Sequence, residues 1–386
     1  MNKKECNEIK KLFTPANCAI SRICGCYVDS EKQKRTELKE AFLSLPEEEA
    51  FKYFTIFRNG LSGTVGKNLI NMEFPIHTEA EGGTQEFLLK LRDSELKDDG
   101  LLEEFYDKVI ENYEYGENYY IILIHCAYDI PAKATDGMEM YDASDYVYEF
   151  IQCCICPVKL SKAGLCYNSL TNAIENRVRD WLVEAPQQAF LFPAFNDRNT
   201  DIHSLLYYSK NPEQLPEQLI DNLLGCQPPM TAKSQKETFQ AIVEETLGEN
   251  CDFEAVKAIH ENLNELMEEA KDEPVPLTLD KKQVKQLLEG SGAPAERLEE
   301  FDQKYAQVED GPDTAFVASN VVNTRSFEIK TPDVSIKVAP DKTHLVENRM
   351  IDGRPCIVIT ISEYVEINGI SVRPVSLPRE TEDSDN

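Results

Sequence analysis

Positive charge is what this sequence has least of: 40 Lys and Arg stand against 69 Asp and Glu, leaving a net charge of −29. A surface of that sign repels phosphate backbones and anionic lipid head groups, so general nucleic-acid or membrane binding is disfavoured, while a basic protein partner suits the field. Long apolar runs are missing as well. No segment approaches 18 consecutive apolar residues, so no membrane-spanning helix is predicted. The N-terminal MNKKECNEIKKLF is basic, but neither an apolar core nor a small-residue cleavage site follows it, which argues against a signal peptide. The Gly-x-Ser-x-Gly elbow, His-Glu-x-x-His and the Rossmann glycine pattern are absent. No cofactor is predicted.

What is present is a chain of 386 residues, 41% hydrophobic, too long for one ordinary core, so two or three domains are expected. Its 12 cysteines are about 3% of the chain, far below the density of a disulfide scaffold. Cys24, Cys126, Cys154, Cys156 and Cys356 lie in apolar, strand-like runs, where a reduced thiol behaves as a small hydrophobe. With no secretion signal, the reducing cytoplasm is the consistent compartment.

CAISRICGCYVD (18–29) reads as a strand with a central glycine. Residues 36–58 read as helices interrupted near Pro46, with Ser44-Leu-Pro-Glu47 as a capping box and Phe51, Phe54 and Phe57 at three-residue spacing. A glycine-rich loop, a strand around 69–76 and an amphipathic helix carrying Leu102, Phe105 and Val109 follow. From Asn118 the pattern turns to strands, NYYIILIHCAYDIP through IHSLLYYS, broken by one candidate helix, AIENRVRDWLVEA. Regular strand–helix alternation is lacking, so an α+β fold with a mixed or antiparallel sheet core is expected.

After Pro212 the chain becomes helical and acidic; residues 237–310 hold 20 acidic and 7 basic residues, −13 of the total. Val256, Ile259, Leu263, Leu266 and Met267 give one helix an apolar face, and Val284, Leu287 and Leu288 another, with Asp280 as its N-cap. DEPVPLTLD and EDGPD read as loops. Residues 316–375 alternate like strands, with turns at Ile351-Asp-Gly-Arg and Asn368-Gly. The expected layout is a mixed α/β region (1–115), an antiparallel sheet region (116–212), an acidic helical segment (213–312), a small β unit (313–376) and a disordered acidic tail (377–386).

The stretch PAFNDRNTDIHS offers the main candidate site. Asp197, Arg198, Asp201 and His203 could supply an anion clamp, an orienting carboxylate and a general base. The same composition is that of a hairpin connection, in which Asn and Asp satisfy local backbone groups, and that reading is preferred. The loop Gly60-Leu-Ser-Gly63-Thr-Val-Gly66-Lys67-Asn68 misses the Walker spacing by one residue and has Asn68 where a Ser or Thr should hold magnesium, so it reads as a helix-to-strand loop. Cys153, Cys154, Cys156 and Cys166 are weak zinc candidates, completed only if His125 or Cys126 joins them. In a strand Cys154 and Cys156 share a face and Cys153 points away, so no metal is predicted. Glu81-Gly82-Gly83-Thr84-Gln85 is similar to the Gly-Gly-Gln tip of peptide-release factors, with a threonine inserted before Gln85; a turn before a helix is the simpler reading.

Taken together, ICGCYVD, FLSLPEEEAFKYF, GGTQEFLLKLRDSELKDD, FLFPAFNDRNTDIHS and NTRSFEIKTPDV resemble a bacterial family catalogued as domain of unknown function 4317, over roughly residues 1–370. The resemblance implies a cytosolic bacterial protein and brings no catalytic residues with it. The leading expectation is a non-catalytic interaction protein presenting acidic helices to a basic partner. A hydrolase or transferase acting on a phosphorylated or nucleotide substrate through the 197–203 loop is the alternative, and a release-factor-like translation protein a second.

Overall fold

The computed structural model describes residues 1–133, 139–306, 314–361 and 365–372. The loop EDGPD and the acidic tail lie outside the described residues. The chain divides into two compact units, Met1–Thr238 with Asp272–Thr278, and Phe239–Lys271 with Leu279–Asn386. The fold is α+β.

The first unit is built on strands β1 (Ile20–Val28), β2 (Lys34–Ala41), β3 (Leu69–Glu73), β4 (Tyr119–Lys133) and β5 (Glu139–Leu160). They continue with β6 (Leu165–Asn168), β7 (Ala173–Asn176), β8 (Trp181–Val183), β9 (Gln188–Phe192), β10 (Ala194–Asn196), β11 (Asn199–Asp201) and β12 (Ser204–Ser209). The main sheet runs β2-β1-β4-β5-β9-β12-β3, antiparallel at every step. Its central strands read as nearly unbroken apolar runs because both faces are covered, and strand alternation deals successive side chains to opposite sides.

Leu123, Cys153, Phe190 and Tyr207 pack on one face with residues of helices α3 (Thr84–Asp93) and α4 (Asp99–Asn112). Ile122, Cys154, Leu191 and Leu206 pack on the other with α1 (Lys3–Lys11) and α2 (Glu47–Asn59). The glycine central to β1 reflects a close approach: a Cβ on Gly25 would lie 2.1 Å from the Tyr120 hydroxyl oxygen.

Three local expectations are corrected. Residues 36–41 are not helical but belong to β2, a charged edge strand pairing with β1 from Arg22↔Ala41 to Val28↔Lys34. β1 needs a partner on that side, and TELKEA has too few apolar positions to bury a helical face. The capping box does not form: Pro46 occupies the N-cap of α2, and the Ser44 hydroxyl donates to the Ala41 carbonyl at 2.7 Å. AIENRVRDWLVEA contributes β7 and β8 in place of a helix, because its ends pair with β6 and with the end of β5. Backbone pairing overrides the helical spacing there.

A short helix α5 (Glu217–Leu219) leads into a π turn, Ile220–Leu224, and α6 (Ala232–Leu247) follows. The second unit continues with α7 (Phe253–Glu269), α8 (Lys281–Gly290) and α9 (Ala295–Tyr305). Asp280 caps α8 in a reciprocal box with Gln283, and Val284, Leu287 and Leu288 are buried, as the spacing predicts. On α7, Ile259 and Leu263 are buried while Val256 and Leu266 are exposed, so its buried stripe is narrower than the sequence implies.

The strands after residue 316 include three separate two-stranded hairpins: Phe327–Lys330 with Ser335–Val338, Val346–Ile351 with Arg354–Ile359, and Val365–Ile367 with Ile370–Val372. Two of them turn at Asp352-Gly353 and Asn368-Gly369, all four residues at positive φ, the tight turn that matches strand twist.

Candidate functional site

The stretch 194–203 is a hairpin. β10 and β11 pair from Ala194↔Asp201 to Asn196↔Asn199, leaving Asp197 and Arg198 as a two-residue tip with φ of 50° and 58°. Both lie in the left-handed region that L side chains rarely adopt, so the tip needs anchors. Helix α1 supplies them. The Asp197 amide donates to Glu5 Oε1 at 2.8 Å, and Arg198 Nη2 lies 3.2 Å from Glu8 Oε1, which also accepts from the Tyr128 hydroxyl at 3.0 Å. Glu5 is buried, and its other oxygen accepts the Asn2 amide in the capping box that starts α1. Glu5 and Glu8 sit one turn apart, on the part of the helix that meets the tip.

Asp201 and His203 do not form a carboxylate–imidazole pair. The Asp201 carboxylate accepts the Asn196 side-chain amide at 2.6 Å and the His203 backbone amide at 3.0 Å. Burial pushes the Asp201 pKa up, but hydrogen bonds from the Ser204 and Asn196 side chains and the His203 amide outweigh it and hold the carboxyl below its ordinary value. The His203 ring is exposed, with Nδ1 2.5 Å from Glu79 Oε1. Thus the groups do not converge: the Asp197 amide and the Arg198 guanidinium meet α1, the Asp201 carboxylate bonds within its own hairpin, and the His203 ring meets Glu79.

The Glu79 contact raises the His203 pKa above 6.5. The sign follows from linkage: the pair contributes stability fully below the unfolded value near 6.5 and loses it as pH rises through the folded value. An NMR titration of the His203 ring should show a midpoint above 6.5 that falls back in Glu79→Gln. An unchanged midpoint in that variant would remove Glu79 as the cause.

The other candidates are placed as follows. Cys154 and Cys156 are buried in the core layer that holds α1 and α2, while Cys153 is buried in the opposite layer and Cys166 is exposed on β6. Desolvation raises the pKa of all three buried thiols. Cys126 shares the layer of Cys154, whereas His125 directs Nδ1 to the Ser21 hydroxyl at 2.7 Å. Gly60 to Asn68 joins α2 to β3, as the sequence implies, with the Lys67 amide donating to the Thr64 carbonyl and Asn68 Nδ2 to the Ser209 carbonyl. Gly83 is the N-cap of α3, and the Gln85 side chain, which a release-factor tip would present, is buried and donates to the Ile202 carbonyl at 2.8 Å.

Beside the hairpin lies a cleft of about 630 Å³, with Lys4, Glu8, Lys11, Asn17, Tyr128 and Asp129 among its lining residues. Lys4, Glu8 and Lys11 form one stripe of α1. Arg198 reaches the cleft wall through its ion pair with Glu8. Sequence reading missed Glu5, Glu8 and Tyr128. The visible signal was a helix-period stripe in KKECNEIKK; the invisible part was that its acidic members bond a hairpin nearly 200 residues away.

A family model described as Domain of unknown function (DUF4317) matches residues 1–370. The chain belongs to that family. The DUF4317 match takes in α1, the 197–198 tip and the cleft, and equally the acidic helices of the second unit, so the hairpin and the acidic surface are both parts of the family's domain. No curated protein matches the chain significantly.

Proposed function

We propose that this DUF4317 chain is a non-catalytic cytoplasmic interaction protein whose acidic helices engage a basic partner. The observation behind the proposal is the state of the carboxylates on α6 to α9. Glu244, Glu254, Glu265, Glu289, Glu296 and Glu299 are exposed, and among the described residues none of them forms an ion pair. The lysines of this segment are drawn to a few positions, Lys281 and Lys285 to Asp302 and Lys304 to Glu245 and Glu300. Unpaired like charges on adjacent helices repel each other and attract a cationic partner over about a Debye length, ~10 Å at 0.1 M salt. The hairpin adds weight to a non-catalytic reading, since Arg198 and the Asp201 carboxylate are engaged within the protein and the His203 ring meets Glu79 rather than Asp201.

The test is affinity purification of the tagged chain from nuclease-treated lysate at low salt, followed by a salt gradient. A stoichiometric basic protein released at moderate salt is the expected result, with recovery reduced several-fold by Glu254→Gln, Glu265→Gln and Glu299→Gln together. Recovery of the chain alone, or of a partner indifferent to salt, would sink the reading. The hydrolase or transferase alternative would then gain ground at the cleft, where Lys4 and Lys11 flank space for a phosphorylated ligand.

A further inference from the structure

The segment 165–183 leaves more apolar surface uncovered than its surroundings explain. β6 and β7 form an isolated two-stranded sheet with Tyr167 opposite Ile174. Alternation puts Leu165, Tyr167 and Ile174 on one face and Cys166, Asn168 and Glu175 on the other. That is the pattern of a hairpin made to cover a core, yet all three apolar side chains are exposed, Leu165 at 77%. In the hairpin's loop Leu170 is 94% exposed, and beyond the hairpin Val178 is 80% and Trp181, the chain's single tryptophan, 55% exposed; Leu182 and Val183 are exposed too. Scattered exposed apolar residues are ordinary, but a run of this density marks an interaction surface.

We propose that this hairpin is a self-association surface, occupied by the same hairpin of a second copy of the chain. Area is the first reason. Side chains of this size carry on the order of 100 Å² of apolar surface each, so the exposed ones other than Leu182, which alternation sets opposite Trp181 and Val183, supply several hundred Å² toward the ~800 Å² per partner that a standard interface buries. Charge is the second. Residues 165–183 hold Arg177 and Arg179 against Glu175 and Asp180, neutral overall in a chain of −29. Two such chains repel over most of their surfaces, and a neutral patch is where that repulsion is weakest. Geometry is the third. β6 and β7 each have one edge unpaired among the described residues, and an edge strand can extend its ladder with its own copy about a two-fold axis, a self-complementary arrangement.

Trp181 makes the test direct. Sedimentation velocity of the full chain from about 1 to about 100 µM, the range that fills an interface of modest affinity, should show monomer giving way to dimer, with Trp181 emission moving to the blue in step. Ile174→Glu with Val178→Glu alters side chains already in solvent, so circular dichroism and thermal midpoint should stay near those of the parent. The dimer dissociation constant should rise at least about tenfold, because two apolar contacts become buried charges. A monomer with solvent-exposed Trp181 emission throughout overturns the proposal. So does a dimer untouched by the double variant, which would place the interface elsewhere. A blue shift that needs vesicles containing phosphatidylglycerol and occurs without dimer would assign the surface to lipid and overturn it equally.

Discussion

Phe57→Ala is expected to destabilise the sheet-containing unit by about 4 kcal/mol, the upper part of the range for emptying an aromatic site in a close-packed core. Phe57 is fully buried on α2, with ring centroids 5.6 Å from Phe13, 6.4 Å from Phe42 and 6.2 Å from Tyr53. The three neighbours come from just past the C-cap of α1, from the 3₁₀ turn Phe42–Ser44 and from α2 itself, so one deletion loosens three segments that hold one layer against the sheet. Interiors packed to crystal density collapse only partly around such a void. Phe51, nearly two turns earlier and equally apolar, is 43% exposed, and Phe51→Ala should cost less than about 1 kcal/mol. Urea unfolding followed by circular dichroism separates the two: a fall in midpoint with unchanged slope is expected for Phe57→Ala alone. Similar losses at both positions would mean that α2 does not present this face to the sheet.

The contrast between Phe51 and Phe57 shows what was legible in the sequence. Spacing of three identified a helix and its apolar side, but could not say which phenylalanine reaches the sheet, because that depends on where the helix axis lies over strands far away in the chain. The antiparallel sheet and α+β class were readable for a physical reason: β4 and β5 are apolar, β-branched and bounded by turn residues, and strands lacking long helical crossovers pair antiparallel. β2 was misread because an edge strand has no obligation to be apolar and its partner is specified by β1, not by its own residues. The helix expected at AIENRVRDWLVEA failed for a related reason. Its apolar residues recur at helical spacing, but Ile174, Val178 and Leu182 face solvent within this chain, so spacing alone could not tell a buried helix face from exposed strands. At the candidate site, the hairpin composition was legible while its attachment was not: nothing in NDRNTD announces that Glu5 and Glu8 of α1 hold the tip.

That attachment carries the second large effect. Glu5→Ala should destabilise the same unit by about 3 kcal/mol, since it removes two charge-assisted hydrogen bonds, each worth about 1.5–3 kcal/mol, and part of the loss is recovered by water reaching the vacated groups. One lost bond is the capping box with the Asn2 amide at 2.7 Å, which frays the start of α1. The other is the bond to the Asp197 amide at 2.8 Å, which leaves a left-handed, non-glycine tip without its main anchor. Glu5→Gln keeps an acceptor oxygen at that place and should cost about 1 kcal/mol, the difference between a charged and a neutral acceptor. Glu8→Ala removes only a partly exposed pair with Arg198 and the Tyr128 contact, and should cost about 1 kcal/mol or less. Hydrogen exchange resolves where the loss falls: the Asp197 amide should exchange much faster in Glu5→Ala than in Glu5→Gln, while amides in β9 and β12 change only with global stability. If Glu5→Ala and Glu5→Gln were equally damaging, the negative charge rather than the acceptor geometry would hold the tip. If neither sped exchange at Asp197, α1 would not be its anchor, and the 197–198 turn would have to be held by its own strands.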